Sequence, residues 1–311
     1  LLSIFGIVFT CCLTGLAQNQ PPVVTRPAAI VVNEDSLFTF SGGNLISVAD
    51  PDVGTSNMVV NMSVTGGGIL RLSGVGGLTF TNGANASTSM AFRATLANIN
   101  AALNGMTYSN APNANGSFSF NFNVNDLGHN GAGGALASNV VIGITVNAVN
   151  DRPIISLPGT ASVTEDGQIV LPISNLDPDR LDGPAYSFRF SMGATNGVFV
   201  LGSTNNLTFT AGTPLVTTGG VIVITNATFE GAYADMSNAL AGVVYLPRLN
   251  VNGGDTLTLV ANDLGNFGSG GALSSNITRA ITITAVNDRP VLNLPPPIQF
   301  NENSVLGLNL S

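Results

Sequence analysis

Residues 103–136 and 240–273 repeat one pattern, LNGMTYSNAPNANGSFSFNFNVNDLGHNGAGGAL and LAGVVYLPRLNVNGGDTLTLVANDLGNFGSGGAL, at an offset of 137. The hexapeptide AVNDRP returns at that same offset, at 148–153 and 285–290. Nearer the N-terminus, VVNED (31–35) corresponds to SVTED (162–166), VADPD (48–52) to NLDPD (175–179) and LTFTNG (78–83) to LTFTAG (207–212), at offsets of 127 to 131. The second copy therefore gains its extra residues between strands, where insertions are tolerated. A third copy opens after 290 with IQFNENSVLGLNL and stops. A chain duplicated in this way has to fold as tandem units, each burying a core of its own.

Within one copy the apolar pattern has a period of two. SLFTF, MVVNMSV, ILRLS, LTFT, FSFNFNV and VVIGITVNAV alternate or run apolar in short bursts, which is the strand signal. Gly-Gly, Asn-Gly and Pro punctuate them every 8–12 residues. This predicts an all-β fold of tandem antiparallel Greek-key sandwiches of the immunoglobulin type. One segment differs: ATLANINAALNGM (94–106) spaces Leu96, Ile99 and Leu103 at helical intervals and ends in Asn-Gly, so each unit is expected to carry one short helix.

Composition narrows the function classes. Charged residues are 8% of the chain, the net charge is −8, and all nine basic residues are Arg. Nucleic acid is excluded as a partner, because phosphate neutralisation needs clustered Lys and Arg. Without Lys there is no Walker-type phosphate loop and no Schiff base, so GHNGAGG and GNFGSGG are poor phosphate cradles. No small-molecule substrate is indicated. The two Cys, Cys11 and Cys12, both lie in the uncharged apolar opening stretch. Residues 1–17 read as a signal peptide lacking its Met and basic start, with Gly15 and Ala17 as the small residues before cleavage. A short membrane anchor is the rival reading. The expected organisation is a signal peptide at 1–17, one repeat at 22–151, a second at 152–288, and the start of a truncated third at 289–311. Cleavage leaves an exported chain without disulfides, so any staple must be something else.

The acids supply a candidate. Thirteen of the 17 fall at repeat-marking positions: Glu34, Asp35, Asp50, Asp52, Asp126 and Asp151, then Glu165, Asp166, Asp177, Asp179, Asp263 and Asp288, then Glu302. Acids kept for solubility would scatter over solvent faces. Following the strands up and down places Asp50, Asp52 and Asp126 at the top of a repeat and Glu34, Asn150 and Asp151 at its bottom. Stacking two copies is then expected to gather Glu34, Asn150, Asp151, Asp177, Asp179 and Asp263. Carboxylates at that density repel unless a cation joins them. Oxygen-only ligands suit Ca²⁺, whereas Zn²⁺ is disfavoured by one His and no surviving Cys.

This set resembles the cadherin-like repeat, in which a Glu near the start, a D-x-D, a D-x-G after a late strand and an Asn-Asp linker enclose interdomain calcium. The resemblance covers nearly all of 22–311. It implies that Glu34 stands in the first-strand position, Asp177 and Asp179 in the D-x-D, Asp263 in the D-x-G, and Asn150 and Asp151 in the linker. A second junction would use Glu165, Asn287 and Asp288, and Asp50, Asp52 and Asp126 would face an upstream partner. The family's mid-domain Asp-Arg-Glu cluster has no match here. Repeats of this length with a Leu-Asn-Ala helix are closer to the proteoglycan-type or bacterial adhesin repeats.

Blander readings stand beside these. DPD and ND also form turns, because Asp and Asn side chains bond nearby backbone amides. DPDRLDG fails as a helical calcium loop, its third acid and Gly each coming one place late. His129 has Asn266 as its counterpart and reads as a solvated loop residue. Glu230 and Asp235 read as acids at a helix start rather than a glycosidase pair. Tyr108 and Tyr245 occupy matching positions and read as core residues rather than sugar platforms. Sequons at Asn61, Asn206 and Asn276 matter only in a host that glycosylates exported chains. The expectation is a non-catalytic, secreted or cell-surface, calcium-stiffened adhesion or stalk segment. Its partners would be other repeats of its parent chain and surface or matrix proteins or glycans. The alternative is a non-catalytic spacer or carbohydrate-binding stalk of a large secreted enzyme.

Overall fold

The structure is a computed structural model that describes residues 18–157, 159–181, 186–212, 215–216 and 222–291, with 299, 302, 303 and 305. The expected signal peptide, both Cys, Asp182 and most of the expected third repeat lie outside these residues. The chain divides into two compact units. Unit 1 is formed by the described residues through Asp151 together with Phe267–Gly271; unit 2 comprises Arg152–Asn266 and the described residues from Ala272 onward.

Unit 1 runs β1 (Val23–Thr25), β2 (Ala29–Asn33), β3 (Leu37–Thr39), β4 (Ser47–Ala49), β5 (Asn57–Val64), β6 (Ile69–Arg71), β7 (Thr79–Asn82), β8 (Ser89–Thr95), α1 (Leu96–Leu103), β9 (Thr107–Ser109), β10 (Gly116–Asn125) and β11 (Ala137–Asn147). Six strands pair in the order β2-β11-β10-β5-β8-β7, and a second sheet has the order β3-β9-β6. Period two explains the pairing. Met58, Val60, Met62 and Val64 of β5, Phe120, Phe122 and Val124 of β10, and Ile142, Ile144 and Val146 of β11 all point into one core. Phe40, Leu70 and Tyr108 enter that core from around the smaller sheet, and the rings of Phe40 and Phe120 meet at 5.8 Å. The all-β sandwich expected from the sequence is what forms. It departs from a purely antiparallel plan at one pair, since β2 runs parallel to β11.

The helix expected at 94–106 is α1. Thr95 caps it by accepting from the Asn98 N–H at 3.4 Å, and Ile99, Ala102 and Leu103 turn inward. Asn100 on α1 clamps Val48: its Oδ1 accepts the Val48 N–H and its Nδ2 donates to the Val48 carbonyl, both at 2.8 Å. That clamp fixes the strand leading directly into Asp50.

Unit 2 repeats the larger sheet in the order Ala161–Thr164, Ser274–Thr284, Gly253–Asn262, Ser187–Gly193, Asn226–Ala232, Thr208–Ala211. Its outermost pair at the Ala161–Thr164 edge is again parallel. Its helix, α2 (Tyr233–Ala241), has Asp235 in the first turn, where an acid meets the positive end of the helix dipole. Glu230 does not share that role. It sits in the preceding strand opposite Arg189, and the two side chains form an ion pair at 2.6 Å. Arg189 is exposed and Glu230 half-buried, so the pair is solvent-screened and Glu230→Gln should cost no more than about 1 kcal/mol in urea unfolding, and less at high salt. Among the described residues no helix is long and apolar enough to cross a membrane.

Candidate functional site

Two acidic loops meet at one end of unit 1. After β4, Asp50 Oδ1 accepts the N–H groups of Asp52 at 3.2 Å and Val53 at 3.0 Å, closing an Asx turn. After β10, the sequence Asn-Asp-Leu-Gly folds into a tight clip. Asn125 Oδ1 accepts the Leu127 N–H, and Asp126 Oδ1 accepts from Gly128 N and Leu136 N, all three at 2.8 Å. Leu127 and Gly128 both adopt positive φ, 60° and 72°. A branched side chain in the left-handed region is strained, so the clip holds only because these acceptors over-determine it. Asn130 Nδ2 donates to the Val53 carbonyl at 2.9 Å and ties the two loops together.

The segment before β1 crosses this end. Asn19 Nδ2 donates to Asp126 Oδ2 and to the Gly134 carbonyl, both at 2.8 Å, and the Gln20 N–H donates to Asp52 Oδ2 at 2.8 Å. Asn19 is 3% exposed and Asp126 is fully buried. At this end three oxygens, Asn19 Oδ1, Asp50 Oδ2 and Asp52 Oδ1, are buried without a hydrogen-bond partner among the described residues. Burial first, and then Asp52 beside it, push the Asp50 carboxyl above the usual carboxylate range, against the pull of the Asp52 and Val53 N–H groups. Sequence reasoning missed Asn19 and Gln20. The signal was present, because Gln18-Asn19 corresponds to Val149-Asn150 at the same offset of 131 that relates VVNED to SVTED. Within unit 1, Asn150 makes the counterpart bonds, its N–H to the Ser269 carbonyl at 2.9 Å and its Nδ2 to the Gly271 carbonyl at 2.8 Å.

The other end of unit 1 lies at the far end of β11, 11 residues away or about 35 Å. Here Glu34, 3% exposed, accepts the Val149 N–H on Oε1 at 2.6 Å and the Asn115 amide on Oε2 at 3.4 Å. The Asn113 amide, with its nitrogen turned toward the acids, donates to Asp35 Oδ2 at 3.2 Å and Asp151 Oδ2 at 3.0 Å.

Unit 2 rebuilds both loops. Asp177 Oδ1 accepts the Asp179 N–H at 2.9 Å. Asp263 Oδ1 accepts from Gly265 N and Leu273 N at 2.8 Å, while Asn262 Oδ1 accepts from Leu264 N at 2.9 Å. Leu264 and Gly265 repeat the positive φ values. Asp177, Asp179 and Asp263 are all fully buried. The Tyr186 phenol lies within electrostatic reach of all three and is pushed far up, by burial first and Asp177 second. Glu165 repeats Glu34, accepting the Val286 N–H at 2.7 Å and the Asn252 amide at 3.2 Å. Asn287 and Asp288 are exposed.

Among the described residues, no group of three or more His, Cys, Asp or Glu side chains is arranged to hold a metal ion. What unit 1 offers is a mixed set, two carboxylates and one amide oxygen, each with an oxygen left over. Tyr108 and Tyr245 are buried, 1% and 0% exposed, and cannot stack on a sugar.

No family model and no curated protein matches the chain. Among solved structures the chain is similar to human protocadherin-24 EC1-2, at 12% identity over 86% of this chain and 100% of that one, with a TM-score of 0.30. It is similar to human mucin-like protocadherin EC1-2 at 12% identity over 86% and 100%, TM-score 0.32. Mouse protocadherin-24 EC1-3 follows at 17% identity over 85% and 70%, TM-score 0.30. At these identities and scores the likeness bears on no site residue.

Proposed function

We propose that the chain is a non-catalytic extracellular adhesion or stalk segment whose acidic strand-end loops bind Ca²⁺. The observation that carries this is the trio of buried oxygens without partners in unit 1: Asn19 Oδ1, Asp50 Oδ2 and Asp52 Oδ1. Buried polar atoms are normally satisfied, so a trio of acceptors calls for a donor or a cation. Oxygen-only chemistry, with carboxylate and amide together, fits Ca²⁺ better than any softer metal. Asp50, Asp52 and Asn19 would hold it, with Asp126 positioning the Asn19 amide through its second oxygen. When bound, the ion supplies positive charge that relieves the repulsion between Asp50 and Asp52. Sequence correspondence extends the proposal to Asn150 and Asp151 with Asp177, Asp179 and Asp263, and to Asn287 and Asp288. Glu34 and Glu165 enter it as posts, already engaged with backbone N–H groups. Secretion, and surface or matrix proteins or glycans as partners, belong to the same reading.

Calcium titration by calorimetry, with thermal unfolding in calcium and in EDTA, tests it. Extracellular modules bind at roughly 10⁻⁴–10⁻³ M, so about 10 mM Ca²⁺ should raise stability by about 1.4–2.7 kcal/mol and the melting temperature by on the order of 5 °C. The double variant Asp50→Asn, Asp52→Asn should lose the heat assigned to unit 1. Identical melting curves with and without EDTA would remove calcium and leave a passive spacer. Proton linkage gives a further expectation. Because the Asp50 carboxyl must be ionised to bind and its pKa is raised, calcium affinity should begin to fall while pH is still above the ordinary carboxylate value of about 3.9. Binding there should release protons, measurable as a buffer-dependent heat.

A further inference from the structure

The outer face of the larger sheet in unit 1 carries a depression of about 280 Å³, at the small end for ligand sites. Amides dominate it. Asn61 of β5, Asn123 of β10 and Asn139 of β11 stand side by side in register. Asn61 Nδ2 donates to Asn123 Oδ1 at 3.1 Å, and Asn123 Nδ2 donates to Asn139 Oδ1 at 2.6 Å. Asn121 and Asn82 join them in the lining, and no charged residue does.

Asn is disfavoured in strands, so adjacent amides in register run against local propensity. Nor does the sheet need them. In unit 2 the residues matching Asn61, Asn121 and Asn123 are Ser191, Thr258 and Val260, and the sheet pairs there just as well. The ladder points one way: it leaves the Asn61 carbonyl at one end and the Asn139 N–H groups at the other, two strand spacings or about 10 Å apart. Each step of such a chain polarises the next. Asn121 is exposed, and among the described residues its side-chain amide makes no hydrogen bond, which leaves its donor and its acceptor available. A primary amide presents a donor beside an acceptor, the pattern that matches neighbouring hydroxyls.

We infer that this face binds a neutral oligosaccharide through hydrogen bonds rather than ring stacking. The absence of charged residues from the lining disfavours anionic glycans. The inference shares with the proposed function its extracellular setting and a glycan as one class of partner, and does not use the calcium loops.

The test is calorimetry on the full chain with cellohexaose, mannohexaose and chitohexaose, and with heparin-derived and sialylated oligosaccharides as charged controls, in calcium and in EDTA. At least one neutral hexasaccharide should bind saturably, and equally well in EDTA, so that failure of the calcium reading leaves this result intact. Asn121→Ala, which breaks no internal bond, and Asn123→Ala should each weaken binding about tenfold or more. Thr258→Ala, the matching change in unit 2, should leave it unchanged. Circular dichroism should show Asn121→Ala folded as wild type. No binding by any neutral sugar, stronger binding of the charged ones, or full affinity in Asn121→Ala would overturn the inference.

Discussion

Asp126→Ala should lower the unfolding free energy of the chain by about 3–5 kcal/mol, and by the same amount in EDTA. The carboxylate is fully buried and holds three donors at 2.8 Å: the Gly128 and Leu136 N–H groups on Oδ1 and the Asn19 amide on Oδ2. Removing it leaves those donors orphaned where water cannot easily reach, at about 1–3 kcal/mol each before relaxation. Leu127 would also lose the support that keeps it at a φ of 60°. Asp126→Asn separates shape from charge. It keeps one acceptor for Gly128 and Leu136 but turns an NH₂ toward the Asn19 amide, so it should cost about 1–2 kcal/mol. Both are read by urea unfolding. A loss under about 1 kcal/mol for the alanine variant would show that the clip is held by something other than this side chain. Persistence of the loss in EDTA matters, because a residue acting only as a metal ligand would cost nothing there.

Much of the architecture was legible because it was written twice. Alternation in MVVNMSV and FSFNFNV identifies buried faces without any knowledge of neighbours, and Leu96, Ile99 and Leu103 mark α1 by their spacing. What alternation cannot carry is the direction of a neighbouring strand. The parallel pairing of β2 with β11 was therefore invisible, and with it the bond from Val149 N to Glu34, residues 115 apart. Acids at strand ends stood out by recurrence, but their hydrogen-bonding did not. Asp126 and Asp263 each spend one oxygen closing their own loop, a local chemistry that D-x-G as a motif leaves unsaid. Asn125 and Asn262, which complete the two clips, read in sequence as ordinary polar residues ending a strand. Glu230 misled for a physical reason: helix-dipole reasoning depends on where the helix begins, and the strand runs on through Ala232.

The acid least expected to matter carries the second large effect. Asp255 has no acidic counterpart; Phe118 occupies the matching place in unit 1. There the ring of Phe118 packs onto Gly66, at φ +73°, so closely that a Cβ on that glycine would lie 2.2 Å from the ring. Unit 2 solves the same corner with charge. Asp255, 5% exposed, accepts Thr195 N at 3.0 Å and Thr256 N at 2.7 Å on Oδ1, and Asn196 N at 3.0 Å and the Tyr245 hydroxyl at 2.6 Å on Oδ2. Asp255→Ala should therefore cost about 3–5 kcal/mol, by orphaning three N–H groups and a buried phenol. Its pH dependence has a definite sign. Burial pushes the Asp255 carboxyl up, but the Tyr245 hydroxyl and the N–H groups of Thr195, Thr256 and Asn196 outweigh it, leaving the folded value below the ordinary one. The contribution is thus complete above the unfolded value of about 3.9 and drains away as pH falls through the lower folded value. Urea unfolding of wild type and Asp255→Asn across acid pH should show a gap that is constant near neutrality and narrows below about pH 4. A gap that widens on acidification would mean that Asp255 is protonated in the folded chain, and that the four donors around it answer to some other acceptor.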